Sequence, residues 1–167
     1  MSAALADAAC VQSARGCWRG QPGEADLRCL SGETPRQTVF PDVKYLRPRA
    51  ALEFLSVAFG FEEHCVVAGA DGEVEHAEIR AGNDLIFISR SRDGDRYGMQ
   101  SPLVLGGTSH GVCIWVPDSE LDEHRARAHA AGATILNPIH DAAAGVREYC
   151  CADREGQVWT FSSYTGQ

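Results

Sequence analysis

The chain has 167 residues, 44% of them hydrophobic and 23% charged, as in a folded globular protein rather than a disordered or fibrous one. Its formal charge of −8, from 15 Lys and Arg against 23 Asp and Glu, argues against nucleic acid as a partner, because phosphates demand a basic patch. No apolar run reaches the roughly 18 residues a membrane helix needs, and the alanine-rich start Met1–Ala9 is acidic where a secretory signal would be basic, so no membrane partner and a cytoplasmic location are expected.

Residues 1–37 mix Ala, Gly, Ser and Arg without a sustained apolar period and end in the turn-like Ser31-Gly32-Glu33-Thr34-Pro35. They read as a weakly ordered N-terminal extension. From Thr38 the pattern sharpens into a domain over 38–167. Val39–Leu46 reads as a strand. Pro48 suits a first helical turn, and Ala51, Leu52, Phe54, Leu55, Ala58 and Phe59 form an apolar helical stripe closed by Gly60. Strands are expected at 61–68, 73–80 and 85–89, separated by turns at Ala70-Asp71-Gly72 and Gly82-Asn83. A polar connector over 90–108 follows.

The same order then recurs. Gly111–Val116 reads as a strand, and Ser119-Glu120-Leu121-Asp122 resembles a capping box opening a helix that runs to Gly132. Strands are expected at 134–137, 145–152 and 158–163. Gly60 and Gly132 lie 72 residues apart, Gly72 and Gly145 73, and Gly82 and Gly156 74. One helix among four strands, repeated once at a near-constant offset, predicts an α+β fold of two βαβββ modules, about 38–90 and 108–164. A ferredoxin-like arrangement is the structural alternative.

Seven cysteines (Cys10, Cys17, Cys29, Cys65, Cys113, Cys150 and Cys151) are odd in number and include no CxxC pair. Neither a zinc knuckle nor a closed disulfide framework is suggested. No phosphate-binding glycine loop and no G-x-S-x-G elbow occurs, so nucleotide binding and serine hydrolysis are poorly supported.

Several stretches match in order and spacing: Tyr45–Leu55, Ala58-Phe59-Gly60-Phe61, His76–Gly82, Arg125–Ala133, Arg147-Glu148-Tyr149 and Asp153–Phe161. Across about 38–164 the chain resembles the vicinal-oxygen-chelate superfamily of glyoxalases, bleomycin-resistance proteins and extradiol dioxygenases, in its glyoxalase-like branch. The resemblance implies that each module curls into half a barrel, with helices outside and a small-molecule cleft inside. It also implies a homodimer. Metal-dependent members hold a divalent cation in the cleft against two neighbouring substrate oxygens, whereas non-catalytic members sequester a drug.

Carried onto this sequence, the usual ligand positions fall at Phe40, Ile86, Gly111 and Thr160. The first three offer no donor and threonine is a poor one, while a hard cation needs carboxylates, imidazoles or amide oxygens. The usual metal site, and with it a cofactor, is therefore expected to be absent. The alternative is a metal enzyme (a lyase, isomerase or dioxygenase) with a rearranged set drawn from His76, Glu78 and His110.

Strand alternation places His76, Glu78 and Arg80 on one face, expected to be the cleft, with Ala77 and Ile79 on the helix-packed side. His76 and Glu78 read as an acid/base pair, a pair of metal ligands, or a structural pair closed by Arg80. The same parity argument turns Asp42, Lys44, Cys113, Trp115, Arg147, Tyr149 and Cys151 inward, and leaves Trp159 and Phe161 in the core. His64, His124, His129 and His140 read as exposed. The expected ligand-binding set is Trp115, His76, Glu78, Arg147, Tyr149 and Cys113, with Trp115 stacking on a planar or cationic ligand.

Overall fold

The computed structural model describes residues 37–166. Of the expected N-terminal extension, all but Gln37 lies outside the described residues. Strand β1 (Asp42–Tyr45) leads into helix α1 (Pro48–Phe59), followed by β2 (Glu62–Ala68), β3 (Val74–Ala81) and β4 (Asp84–Arg90). A short helix α2 (Pro102–Leu105) interrupts the connector, and β5 (Gly111–Trp115), α3 (Leu121–Ala130), β6 (Thr134–Asp141), β7 (Arg147–Ala152) and β8 (Val158–Ser162) repeat the first unit.

Each module forms an open four-stranded mixed sheet, in the orders β1-β4-β3-β2 and β5-β8-β7-β6. The first strand of each unit runs parallel to its fourth, and the other pairs are antiparallel. The α+β reading with two repeated modules therefore holds.

Helix α1 starts where Pro48 fixes φ for the first turn. All six expected stripe residues are buried. Gly60 closes the helix at φ 76°, donating its N–H to Ser56 at 3.0 Å, while the N–H of Phe61 reaches Leu55 at 3.4 Å. That left-handed closure costs a glycine little and any other residue more.

Helix α3 is far more polar, burying only Leu121, His124 and Ala128 at helical spacing. Its expected capping box does not form. Ser119 lies in a 3-10 turn over Asp118–Glu120, and no side chain caps the helix that follows. Asp122 and Glu123 near the start, with Arg127 and His129 near the end, complement the helix dipole instead. Strand β6 runs four residues past its expected end, with register shifts around Asn137 that its alternation did not signal.

The two modules meet through their helical sides, with α1 against α3. Phe59 of α1 reaches into the second module, its ring 4.7 Å from Phe161, 5.7 Å from Trp159 and 6.1 Å from His124. The turn Asp153-Arg154-Glu155-Gly156 is the second tie. Asp153 is buried and accepts from the Tyr45 hydroxyl at 2.5 Å and from Trp159 Nε1 at 3.1 Å. Glu155 accepts from the backbone N–H of Leu46 at 2.7 Å and of Arg47 at 2.9 Å, and from Ser101 Oγ at 2.8 Å. Arg47 offers α1 no side-chain cap, so a carboxylate from the second module satisfies the backbone donors at the entrance to the first module's helix.

Candidate functional site

One face of each sheet is closed by helices. On it lie Val43, Ala77, Ile79, Ile86 and Ile88 in the first module, and Val112, Tyr149, Cys151, Trp159 and Phe161 in the second, all buried. The other face of each sheet is open, and pairing register fixes what it carries.

Across the first module, Asp42 pairs with Phe87, Phe87 with Glu78, and Glu78 with Cys65; one step along, Lys44, Ser89, His76 and Val67 form the next row. Across the second module the rows are Cys113, Thr160 and Cys150, and then Trp115, Ser162 and Glu148. His76, Glu78, Cys113 and Trp115 therefore sit on open faces, as alternation predicts. Trp115 is 56% exposed.

Strand β7 is a correction. Tyr149 pairs directly with Phe161, and Cys151 with Trp159, so both belong to the closed, helix-packed face and are fully buried. Arg147 shares their parity and reaches Asp118 at 3.1 Å and Asp122 at 2.9 Å near the start of α3. Glu148 and Cys150 occupy the open face instead, where sequence parity missed them. The signal was present: directly opposed residues share a face, so assigning Trp159 and Phe161 to the core assigns Tyr149 and Cys151 there too.

His76 and Glu78 share a face but are not hydrogen-bonded to each other. His76 sets its ring edge-on to Phe87 at 5.2 Å. Glu78 faces His64 Nε2 at 3.9 Å, and Arg80 Nη2 lies 3.0 Å from His64 Nδ1, so His64 is a half-buried bridge rather than an exposed side chain. Cys113 is exposed, yet partial desolvation and the neighbouring Glu148 carboxylate push its thiol above the usual range, which argues against an activated nucleophile.

His124 is the larger surprise. It is 7% exposed, its Nδ1 lies 2.8 Å from the Tyr149 hydroxyl, and its ring centre is 4.3 Å from that of Phe161. Burial, helped by the positive charge of Arg127, lowers its pKa to about 4.

The expected ligand positions for a divalent cation do not fit one. Phe40 and Phe87 stack at 5.1 Å on the open face of the first module, and Ile86 points into the core. Among the described residues no three His, Cys, Asp or Glu side chains converge as a cation requires. His110 stays exposed in the turn before β5, where its backbone engages Thr108.

A cavity of about 570 Å³ lies between the modules, walled by Gln37, Thr38, Val39 and Pro41, the β3–β4 turn and β5 residues that include Cys113 and Trp115. His76 and Glu78 do not line it. Within one chain, the expected aromatic wall and the expected polar pair therefore belong to different surfaces.

The model of the Glyoxalase/Bleomycin resistance protein/Dioxygenase superfamily matches residues 47–161. The chain belongs to this superfamily. An uncharacterized protein of Mycobacterium bovis is 30% identical over 112 residues, covering 66% of this chain and 72% of that protein. A Mycobacterium tuberculosis relative is equally similar, and the match spans 65% of its length. Among solved structures, TioX from Micromonospora sp. ML1 is 28% identical, with a TM-score of 0.59 over 75% of this chain and 94% of that one. The fosfomycin resistance protein FosX from Listeria monocytogenes shares the fold at 15% identity, with a TM-score of 0.59 over 80% and 97% of the two chains. Lactoylglutathione lyase from Agrobacterium tumefaciens does so at 18% identity and a TM-score of 0.54, over 78% and 95%. Among the described residues no helix is long and apolar enough to cross a membrane.

Proposed function

We propose that this superfamily member binds a small molecule without the usual metal site and acts by sequestration, as a drug-resistance protein does. The observation that carries the reading is the stacked Phe40–Phe87 pair on an open sheet face, where metal donors would be needed. Two aromatic rings cannot ligate a hard cation, but they can bind a flat apolar ligand.

The site takes shape in a homodimer. The first module's open face carries Phe40, Phe87, His76 and Glu78; the second's carries Trp115 and Cys113. The modules of one chain meet by their helical sides, so a second copy is what would lay one kind of face against the other. Twofold symmetry then makes two equivalent clefts. Each would have the Trp115 indole as one wall and the aromatic pair as the other, with Glu78 and His76 at the polar end. The acidic residues of these faces, together with the formal charge of −8, favour a planar cationic ligand.

Fluorescence titration with planar cationic drugs such as proflavine tests this in wild type, Trp115→Phe and Glu78→Gln, beside sedimentation of each. Wild type should sediment as a dimer, and each substitution should weaken binding about tenfold, about 1.4 kcal/mol. Binding that changes less than threefold in both variants, or a concentration-independent monomer, would overturn the cleft.

A further inference from the structure

Each open sheet ends in two strands, and a strand at an edge offers its outward N–H and C=O groups to any extended chain that meets it. Three of the four edges are guarded. Strand β2 has two register shifts and the charged pair Glu62 and Glu63. Strand β6 has two register shifts and Pro138, which has no N–H to give. The connector runs beside β1, where Asp95 holds Lys44 at 2.9 Å.

Strand β5 has none of these devices. It contains no charged residue and no proline, and it pairs with β8 without a register shift. The direction of its backbone groups follows from one bond. Val116 donates its N–H to the Ser162 carbonyl at 2.9 Å, so Val112 and Ile114, of the same parity, also turn their backbone toward β8. Cys113 and Trp115 turn theirs the other way. Because β5 ends its sheet, no strand among the described residues meets them there.

Both residues line the cavity of about 570 Å³ between the modules. Val39 and Pro41 ahead of β1, with Leu85 and Ile86 of β4, give it apolar walls, and Asp84 is the one charged residue among those that line it. The cavity thus combines a row of backbone donors and acceptors with apolar sides and a single negative charge. An extended peptide answers all three features. Its main chain bonds the strand edge, its alternate side chains reach the apolar walls, and a basic side chain meets Asp84.

We infer that β5 is a docking edge for an extended peptide segment carrying a basic residue, which joins the second sheet as a fifth strand. The N–H groups of Cys113 and Trp115 donate to the peptide's carbonyls, and their own carbonyls accept from its N–H groups. This edge adjoins the aromatic cleft and shares Trp115 with it, but it draws on that residue's backbone. Asp84 belongs to the edge site alone, so it separates the two readings.

The test uses the full ¹⁵N-labelled chain and nuclear magnetic resonance, titrated with the peptide acetyl-Val-Lys-Val-amide. The backbone N–H signals of Cys113 and Trp115 should shift saturably and exchange more slowly with solvent. The same peptide methylated at every backbone nitrogen should not bind. Cys113→Pro, which removes an outward donor and leaves the ladder to β8 intact, should weaken binding about tenfold. Asp84→Asn should weaken it about threefold and leave proflavine binding unchanged, while Asp84→Lys should shift the preference to acetyl-Val-Glu-Val-amide. The inference falls if the parent peptide moves neither signal up to its solubility limit, or if the methylated peptide binds equally well. It also falls if sedimentation shows that Cys113→Pro splits a wild-type dimer, because the edge then belongs to a second copy of the chain. Should Cys113→Pro fail to fold, the methylated peptide on wild type decides alone.

Discussion

The buried histidine at the module junction makes the sharpest stability prediction. His124 is 7% exposed, lies between Phe59 and Phe161, and has a pKa lowered to about 4 against an ordinary 6.5. Between those values the unfolded chain takes up a proton that the folded chain refuses. A histidine depressed in this way contributes stability that is full above about pH 7 and drains as pH falls through 6.5 toward 4. The whole effect is about 3 kcal/mol, of which about 2 falls between pH 7 and pH 5. Screening of the imidazolium charge by solvent reduces the latter to about 1.5.

Urea unfolding of wild type and His124→Gln at pH 7 and pH 5 isolates it, because the other titrating groups are common to both proteins. Among these is Asp153, whose pKa burial raises, so that it acts in the opposite direction. Glutamine keeps a polar partner for the Tyr149 hydroxyl and cannot titrate. Wild type should lose about 1.5 kcal/mol more than the variant between the two pH values. Parallel losses, within about 0.5 kcal/mol, would show that the ring is hydrated or free to charge in place.

Glu155→Ala should lower stability by about 3 kcal/mol in urea unfolding, because two backbone N–H groups at the start of α1 and the Ser101 hydroxyl lose a charged acceptor; Glu155→Asp should recover little, being too short to reach them. Deleting residues 1–36 should leave the thermal midpoint nearly unchanged, whereas extending the deletion through Gln37 should cost about 1 kcal/mol. That residue's amide both donates to the carbonyl of Leu85 at 2.8 Å and accepts from its N–H at 2.6 Å. Protein purified without chelator should carry far less than one equivalent of zinc, nickel, iron or manganese by elemental analysis; near-stoichiometric metal that disappears in His76→Ala would favour a metal enzyme.

The fold was legible because its markers are local. Pro48, the stripe from Ala51 to Phe59, and Gly60 define α1 without help from the rest of the chain, and the three glycine pairs mark the repeat. The six glycines of those pairs all take positive φ in the structure. The site was less legible because a face is a property of pairs of strands. Alternation along β3 and β5 placed His76, Glu78, Cys113 and Trp115 on open faces, but the same alternation along β7 could be read in either phase. Only its register against Trp159 and Phe161 puts Tyr149 inside and Glu148 on the open face. His124 was misread for a related reason. Helix α3 carries so few apolar residues that its buried stripe has no sequence signature, and the histidine is drawn inside by Phe59, which comes from the other module.

The Glu155 contact also orders events in time. Leu46 and Glu155 lie 109 residues apart, so during synthesis the first half of the chain emerges long before its helix can be completed. Until the final hairpin forms, the backbone donors at the entrance to α1 face water, and Phe59 has no aromatic neighbours from the second module. Closing so long a loop is slow relative to local helix formation. A nascent chain stalled before residue 153 would therefore hold a frayed helix and an exposed phenylalanine, a state recognisable to the chaperones and proteases that patrol the ribosome's exit.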